Sequence, residues 1–139
     1  MVQLIVGNTG KGKTKHLLDK VNAAVHEAQG NIVYLDKSSK HMYELNNKVR
    51  LIDASEYLIT NSDEFVGFIL GILSQDRDLQ QMYVDSFLKV SCIKNGHIES
   101  VLAKLEQISE KFSVDFVLCI SLNESELPEN TKSKIVVSL

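Results

Sequence analysis

Apolar positions along this chain fall into short runs, separated by longer stretches in which they recur every three or four residues. The runs Gln3–Val6, Ile32–Asp36, Val49–Ile52, Gln81–Asp85, Asp115–Ser121 and Ile135–Leu139 read as strands, most of them carrying β-branched residues. Between the first two, Lys13 to Gln29 places Leu17, Leu18, Val21, Ala24, Val25 and Ala28 on one helical face, with Gly30 as the stop. A second helix is expected from Asn61 or Ser62 to about Ser74. Either residue suits an N-cap, and Asp63 and Glu64 then sit in the positive first turn. Its almost unbroken apolar centre predicts deep burial. A third helix, His97 to Phe112, spaces Ile98, Val101, Leu102, Leu105, Ile108 and Phe112 by threes and fours, with charges between them. Asp36 to Lys48 reads as a loop with room for one or two helical turns, because Ser38, Ser39, Asn46 and Asn47 compete for backbone hydrogen bonds.

Strands alternating with helices predict an α/β fold of three layers, a mainly parallel sheet of five to six strands with helices on both faces. No repeat or linker interrupts the pattern, so residues 1–139 are expected to form a single domain.

Composition narrows this further. Apolar residues make up 44% and charged residues 24%, the balance of a soluble globular protein. The opening apolar run is broken by Gly7, too early for a secretory leader or a membrane span, so a cytoplasmic location is expected. Cys92 and Cys119 have neither CxxC spacing nor a nearby histidine at ligand spacing, and read as buried thiols in a reducing compartment. The net charge is −3, and only Arg50 and Arg77 among fifteen basic residues are arginines. Their scatter excludes a dedicated nucleic-acid surface, which needs a concentrated basic stripe. His16, His26, His41 and His97 form no ligand spacing and receive no role.

The chemistry concentrates after the first strand. Gly7-Asn8-Thr9-Gly10-Lys11-Gly12-Lys13-Thr14 fits GxxxxGK[ST] position by position, between a predicted strand and a predicted helix. Backbone N–H groups can converge on a phosphate only where side chains are missing, and the helix N-terminus adds its positive dipole end. Lys13 is then expected to reach the β- and γ-phosphates of a nucleoside triphosphate and Thr14 to be a ligand of Mg2+, with Lys11 and Lys15 assisting as solvated neighbours. A second group must help hold the metal, and Asp85, closing Gln81-Met82-Tyr83-Val84, is the candidate. Asp36 and Asp53 also close strands. Carboxyl ends of parallel strands face the ligand crevice, so either could be a base for water or a plain turn residue.

The order of a P-loop strand and helix, then Ile32-Val33-Tyr34-Leu35-Asp36, then a further strand and helix, then Tyr83-Val84-Asp85-Ser86, resembles the RecA-like P-loop ATPases. Its helix to Phe112 followed by Val117-Leu118-Cys119-Ile120-Ser121 is similar to that family's next helix and phosphate-sensing strand, with Ser121 or Asn123 as the sensor. The resemblance implies ATP with Mg2+, adenine rather than guanine. RecA-like enzymes usually carry a catalytic glutamate shortly after the second strand, where this chain has Asp36-Lys37-Ser38-Ser39, and that departure implies slow or partner-activated hydrolysis. The short acidic Asn123-Glu124-Ser125-Glu126 leaves no room for the family's DNA-binding loops. The P-loop also resembles that of secretion and twitching-motility ATPases, which are longer chains whose motor function is not expected here.

Three functions follow: an ATP-binding protein with slow or partner-activated ATPase activity, a nucleotide-regulated interaction module without turnover, and, less favoured, a small-molecule kinase. The kinase ranks last because neither arginine falls near the predicted crevice. An arginine finger would come from a partner or a neighbouring copy, and Ile135–Leu139, at an expected sheet edge, makes a protein partner or homo-oligomer a candidate.

Overall fold

The structure is a computed structural model and describes residues 1–94 and 98–139. Its six strands are β1 (Val2–Val6), β2 (Asn31–Asp36), β3 (Val49–Asp53), β4 (Leu79–Val84), β5 (Asp115–Ile120) and β6 (Ile135–Ser138). They form one sheet in the order β3-β2-β4-β5-β1-β6, with every neighbouring pair parallel. The helices are α1 (Lys13–Ala24), α2 (Ser62–Gln75), α3 (Phe87–Val90) and α4 (Ile98–Phe112).

Strand periodicity sorts the core into two halves. On one face, Leu17, Leu18 and Val21 of α1 pack with Ile5, Ile32, Tyr34, Tyr83, Val117 and Cys119. On the other, α2 and α4 bring Phe65, Ile69, Leu73, Leu102 and Leu105 against Leu4, Val33, Met82, Phe116 and Leu118. Both faces are covered, the three-layer arrangement expected from the alternation of runs and helices. Phe65, Ile69, Leu102 and Leu105 are fully buried, and truncating any of them to Ala removes about 3 kcal/mol.

Local chemistry sets the ends of the elements. Asn61 is the N-cap of α2, its side chain accepting from Glu64 N at 2.9 Å, while Glu64 takes the Thr60 N–H and hydroxyl, both at 2.7 Å. α1 stops at Ala24 rather than Gln29. The next residues form a turn in which Val25 and Ala28 still pack on the core, so the apolar face was legible although the helix is shorter. Gly30 then passes so close to the start of β4 that a Cβ there would lie 2.2 Å from Asp78 O. β4 starts two residues earlier than expected and ends at Val84, leaving Asp85 immediately past it. The 36–48 segment holds a single 3₁₀ turn, Met42–Glu44. His97, expected to begin the third helix, lies outside the described residues. Of the two cysteines Cys119 is buried, whereas Cys92 is only half-buried, and both are free thiols.

Candidate functional site

β1 delivers the chain into residues 7–12 and then into α1. Gly10 and Gly12 both have φ of +88°, in the left-handed region, and open space surrounds the position of a Cβ at each. Conformation rather than crowding selects glycine there. No side chain caps the start of α1 and its first turn carries no acidic residue, so the orphan N–H groups of that turn are left for another acceptor. Lys13 is buried, and its Nζ donates to Asn8 O at 3.0 Å, across the turn. Thr14 is half-buried beside it, while Asn8, Thr9, Lys11 and Lys15 are exposed and Lys15 pairs with Asp19 at 3.0 Å. Gly7 donates its N–H to Leu122 O at 2.8 Å, tying the turn to the segment that follows β5.

Register brings the acidic residues to this turn. Tyr34 pairs with Tyr83 and Leu35 with Val84, and Asp85 N continues the ladder by donating to Leu35 O at 2.9 Å. Asp36 and Asp85 therefore stand side by side. By the two-residue period they share the face of Tyr34 and Tyr83, which is the α1 face. Asp85 is held by the Tyr34 hydroxyl, donating to Oδ2 at 2.9 Å, and by Ser86 N, donating to Oδ1 at 2.8 Å. Ser86 itself takes a left-handed conformation, φ 51° and ψ 46°. Asp36 Oδ1 accepts from Lys37 N at 2.7 Å. Asp36 and Asp85 are 2% and 4% exposed, and among the described residues neither makes an ion pair.

Electrostatics follow from that burial. Desolvation, and then the neighbouring charge of Asp85, push the Asp36 carboxyl above its usual range. Burial, and then the same charge, push the Tyr34 phenol far up, so it remains a hydrogen-bond donor to Asp85. Burial also drives the Cys119 thiol up, which keeps it protonated and inert.

One cleft of about 310 Å³ joins these groups at the carboxyl ends of the strands. Thr9, Gly10, Gly12, Lys13 and Thr14 line one side, and Asp36, Asp85 and Ser121 the other. Of the open pairs in the sequence, the cleft takes Asp36 and not Asp53, and Ser121 and not Asn123. Asp53 accepts from Ser55 N at 3.0 Å as an ordinary cap, and Asn123 belongs to a capping box with Glu126. Arg50 pairs with Asp76 at 3.1 Å near the amino ends of the strands, and Arg77 lines a groove there with Asp76. Sequence reasoning missed His41, which also lines the cleft. A ring nitrogen of His41 and one oxygen each of Asp36 and Asp85 lie within 4.8 Å of one another. No spacing in the chain could have signalled this, since Asp85 is brought to His41 only by the pairing of β2 with β4.

Solved structures with a similar fold include a KaiC-like protein from the hyperthermophilic archaeon Pyrococcus horikoshii OT3, with a TM-score of 0.60 and 19% identity over 85% of this chain. The flagellar accessory protein FlaH from Methanocaldococcus jannaschii matches with a TM-score of 0.61 and 13% identity over 95% of this chain. The fold is RecA-like. The matches take in 61% and 65% of those two chains, so this RecA-like chain spans less than two thirds of either. No protein-family model matches the sequence, and no curated protein matches it. Within the RecA-like sheet, β5 separates β1, which leads into the glycine-rich turn, from β4, which puts Ser121 between that turn and Asp85.

Proposed function

We propose that this chain binds ATP with Mg2+ at the P-loop and hydrolyses it slowly, or only when a partner engages it. The observation that carries this reading is the convergence on one cleft of a buried lysine, an uncapped glycine-rich helix start and two buried carboxylates that make no ion pair among the described residues. Gly7, Asn8, Thr9, Gly10, Lys11, Gly12, Lys13, Thr14 and Lys15 are the phosphate cradle, with Lys13 as the charge on the terminal phosphates. The donor set fits magnesium, because the Thr14 hydroxyl and the Asp85 carboxylate offer the oxygen ligands it prefers. When bound, the ion neutralises charge that develops on the phosphates. Asp36, with its raised pKa, is a base for the attacking water. No glutamate stands in Asp36-Lys37-Ser38-Ser39, where the RecA-like resemblance implies one, which favours slow turnover.

An arginine finger in cis is disfavoured, since Arg50 is committed to Asp76 at the other end of the sheet. The positive group would come from a protein partner or from a second copy, for which the edge strand β6 is available. Among the described residues no helix is long and apolar enough to cross a membrane, and a cytoplasmic site of action is part of this proposal. The second reading, a nucleotide-regulated module without turnover, is favoured by one observation: among the described residues no glutamate lines the cleft.

Phosphate release from ATP and GTP, followed beside equilibrium dialysis of the same samples, separates these readings. The expected result is ATP bound in preference to GTP, with turnover far below the roughly 10 s⁻¹ of a median enzyme and lower still in Asp36→Asn. Bound ATP with no release selects the module reading. Fast release by the isolated chain contradicts slow turnover.

A further inference from the structure

The ATP reading uses Asp36 and Asp85 but gives no part to His41, which lies beside them. Asp36 and Asp85 belong to adjacent strands, and His41 reaches them from the segment that follows β2. We propose that these three residues form a binding site for a first-row transition-metal dication, occupied by the protein alone without nucleotide. This goes beyond the ATP reading and does not depend on it.

Four features support the site. One ligand atom from each residue lies within 4.8 Å of the other two. Metal–ligand bonds of about 2.0–2.2 Å allow ligands to lie at most about 4.4 Å apart, so small side-chain rotations bring the three donors into range. Both carboxylates are almost wholly buried, and among the described residues neither is ion-paired. Buried charges are otherwise paired or bound to metal, and one dication offsets both.

The histidine is prepared in the manner of a metal ligand. His41 Nδ1 makes a close contact with Glu44 Oε2. Where a carboxylate takes the N–H of Nδ1, the lone pair lies on Nε2, the outer-shell arrangement common to metal-binding histidines. The carboxylates are prepared too. The Tyr34 hydroxyl, Ser86 N and Lys37 N orient them while using one acceptor position on each engaged oxygen, and further lone pairs remain.

The donor set selects the ion. Mg2+ favours oxygen ligands and keeps its waters, whereas an imidazole nitrogen suits the later first-row metals, and at a given N/O site affinity rises from Mn2+ to Cu2+ and falls again at Zn2+, which still binds more tightly than Mn2+. Three protein ligands leave coordination positions for water or for an oxygen of a ligand in the same cleft, where Lys13 and Thr14 stand. A metal held there would fix the 36–44 segment against the end of β4.

The test is a Mn2+ titration of the nucleotide-free full chain, following loss of the free-ion electron paramagnetic resonance signal, with Zn2+ and Mg2+ as competitors. The expected result is one Mn2+ per chain, displaced more readily by Zn2+ and only by a large excess of Mg2+. His41→Ala should weaken Mn2+ binding by about tenfold or more and Asp36→Asn should abolish it, with metal-free melting curves checking that both variants fold. Lys13→Ala, which removes the phosphate lysine and a nearby positive charge, should bind Mn2+ at least as tightly as wild type. Failure of the wild type to bind Mn2+ without nucleotide overturns the proposal, as does wild-type affinity in His41→Ala, displacement by equimolar Mg2+, or loss of Mn2+ binding in Lys13→Ala. A wild-type chain that binds Mn2+ but not ATP would defeat the nucleotide reading and leave the metal site standing.

Discussion

Asp76, near the amino ends of the strands, and the Asp36–Asp85 pair, at their carboxyl ends, are all buried carboxylates, yet their partners differ. Asn31 Nδ2 donates to both oxygens of Asp76 at 3.1 Å, Arg50 Nη1 donates at 3.1 Å and Asp78 N at 3.1 Å. That charge is answered by the chain itself, and the cluster ties β2, β3 and the entry to β4 together. At the other end, among the described residues, Asp36 and Asp85 accept from Lys37 N, the Tyr34 hydroxyl and Ser86 N, and neither makes an ion pair. The difference separates two situations of a buried charge: one saturated by its own protein, the other with acceptor capacity that the proposed ligand would complete.

The largest effect should come from the saturated end. Asp76→Ala leaves Asn31 unpaired and frees Arg50, which is exposed enough to regain water. A loss of about 2 kcal/mol is expected, seen as a lower urea midpoint with an unchanged slope. A loss near zero would erase the contrast between the two ends.

The unsaturated end should respond in the opposite sense. Asp36→Asn keeps an acceptor for Lys37 N but removes one of two adjacent buried charges. In chelator at pH 7 it should stabilise the protein by about 1 kcal/mol, while weakening its ligand functions. The pH dependence has a defined sign. Because the folded protein holds the Asp36 proton more tightly than the unfolded chain, the associated stability is complete below the unfolded value of about 4. It is lost as pH rises through the higher folded value. Melting wild type and Asp36→Asn across that range should show the gap opening with pH. A gap that closes would contradict the assignment.

The smallest effect sharpens the same point in the backbone. Ser86, directly after Asp85, sits at φ 51°, a conformation in which a side chain is strained and glycine is not. Ser86→Gly should gain about 0.5 kcal/mol, since relief of strain is partly offset by the freer unfolded chain. Thermal melts read this directly, and a loss of stability would mean the serine is not held under strain.

How much the sequence disclosed depended on distance along the chain. The glycine-rich turn was legible because its eight residues are contiguous and their glycines answer a local conformational demand. The helical faces were legible from period, even where α1 ended early and its last apolar residues packed from a turn. Asp85 was legible as the end of an apolar run, although β4 began at Leu79, where Gln80 and Gln81 disguise the strand. The neighbourhood of His41 was not legible at all. It exists only because β2 and β4 pair in register, setting Asp36 beside Asp85, and because the following segment folds back through the Met42–Glu44 turn. α3 escaped notice for a simpler reason, being four residues long and too short to establish a period.

The most direct measurement of the central claim is a calorimetric titration of ATP with Mg2+ into wild type and Lys13→Ala. The account predicts one ATP per chain for wild type and at least a tenfold loss of affinity in the variant, about 1.4 kcal/mol or more, with both proteins folded. Equal binding by the two proteins, or none by wild type, would contradict it and leave the glycine-rich turn as a structural feature alone.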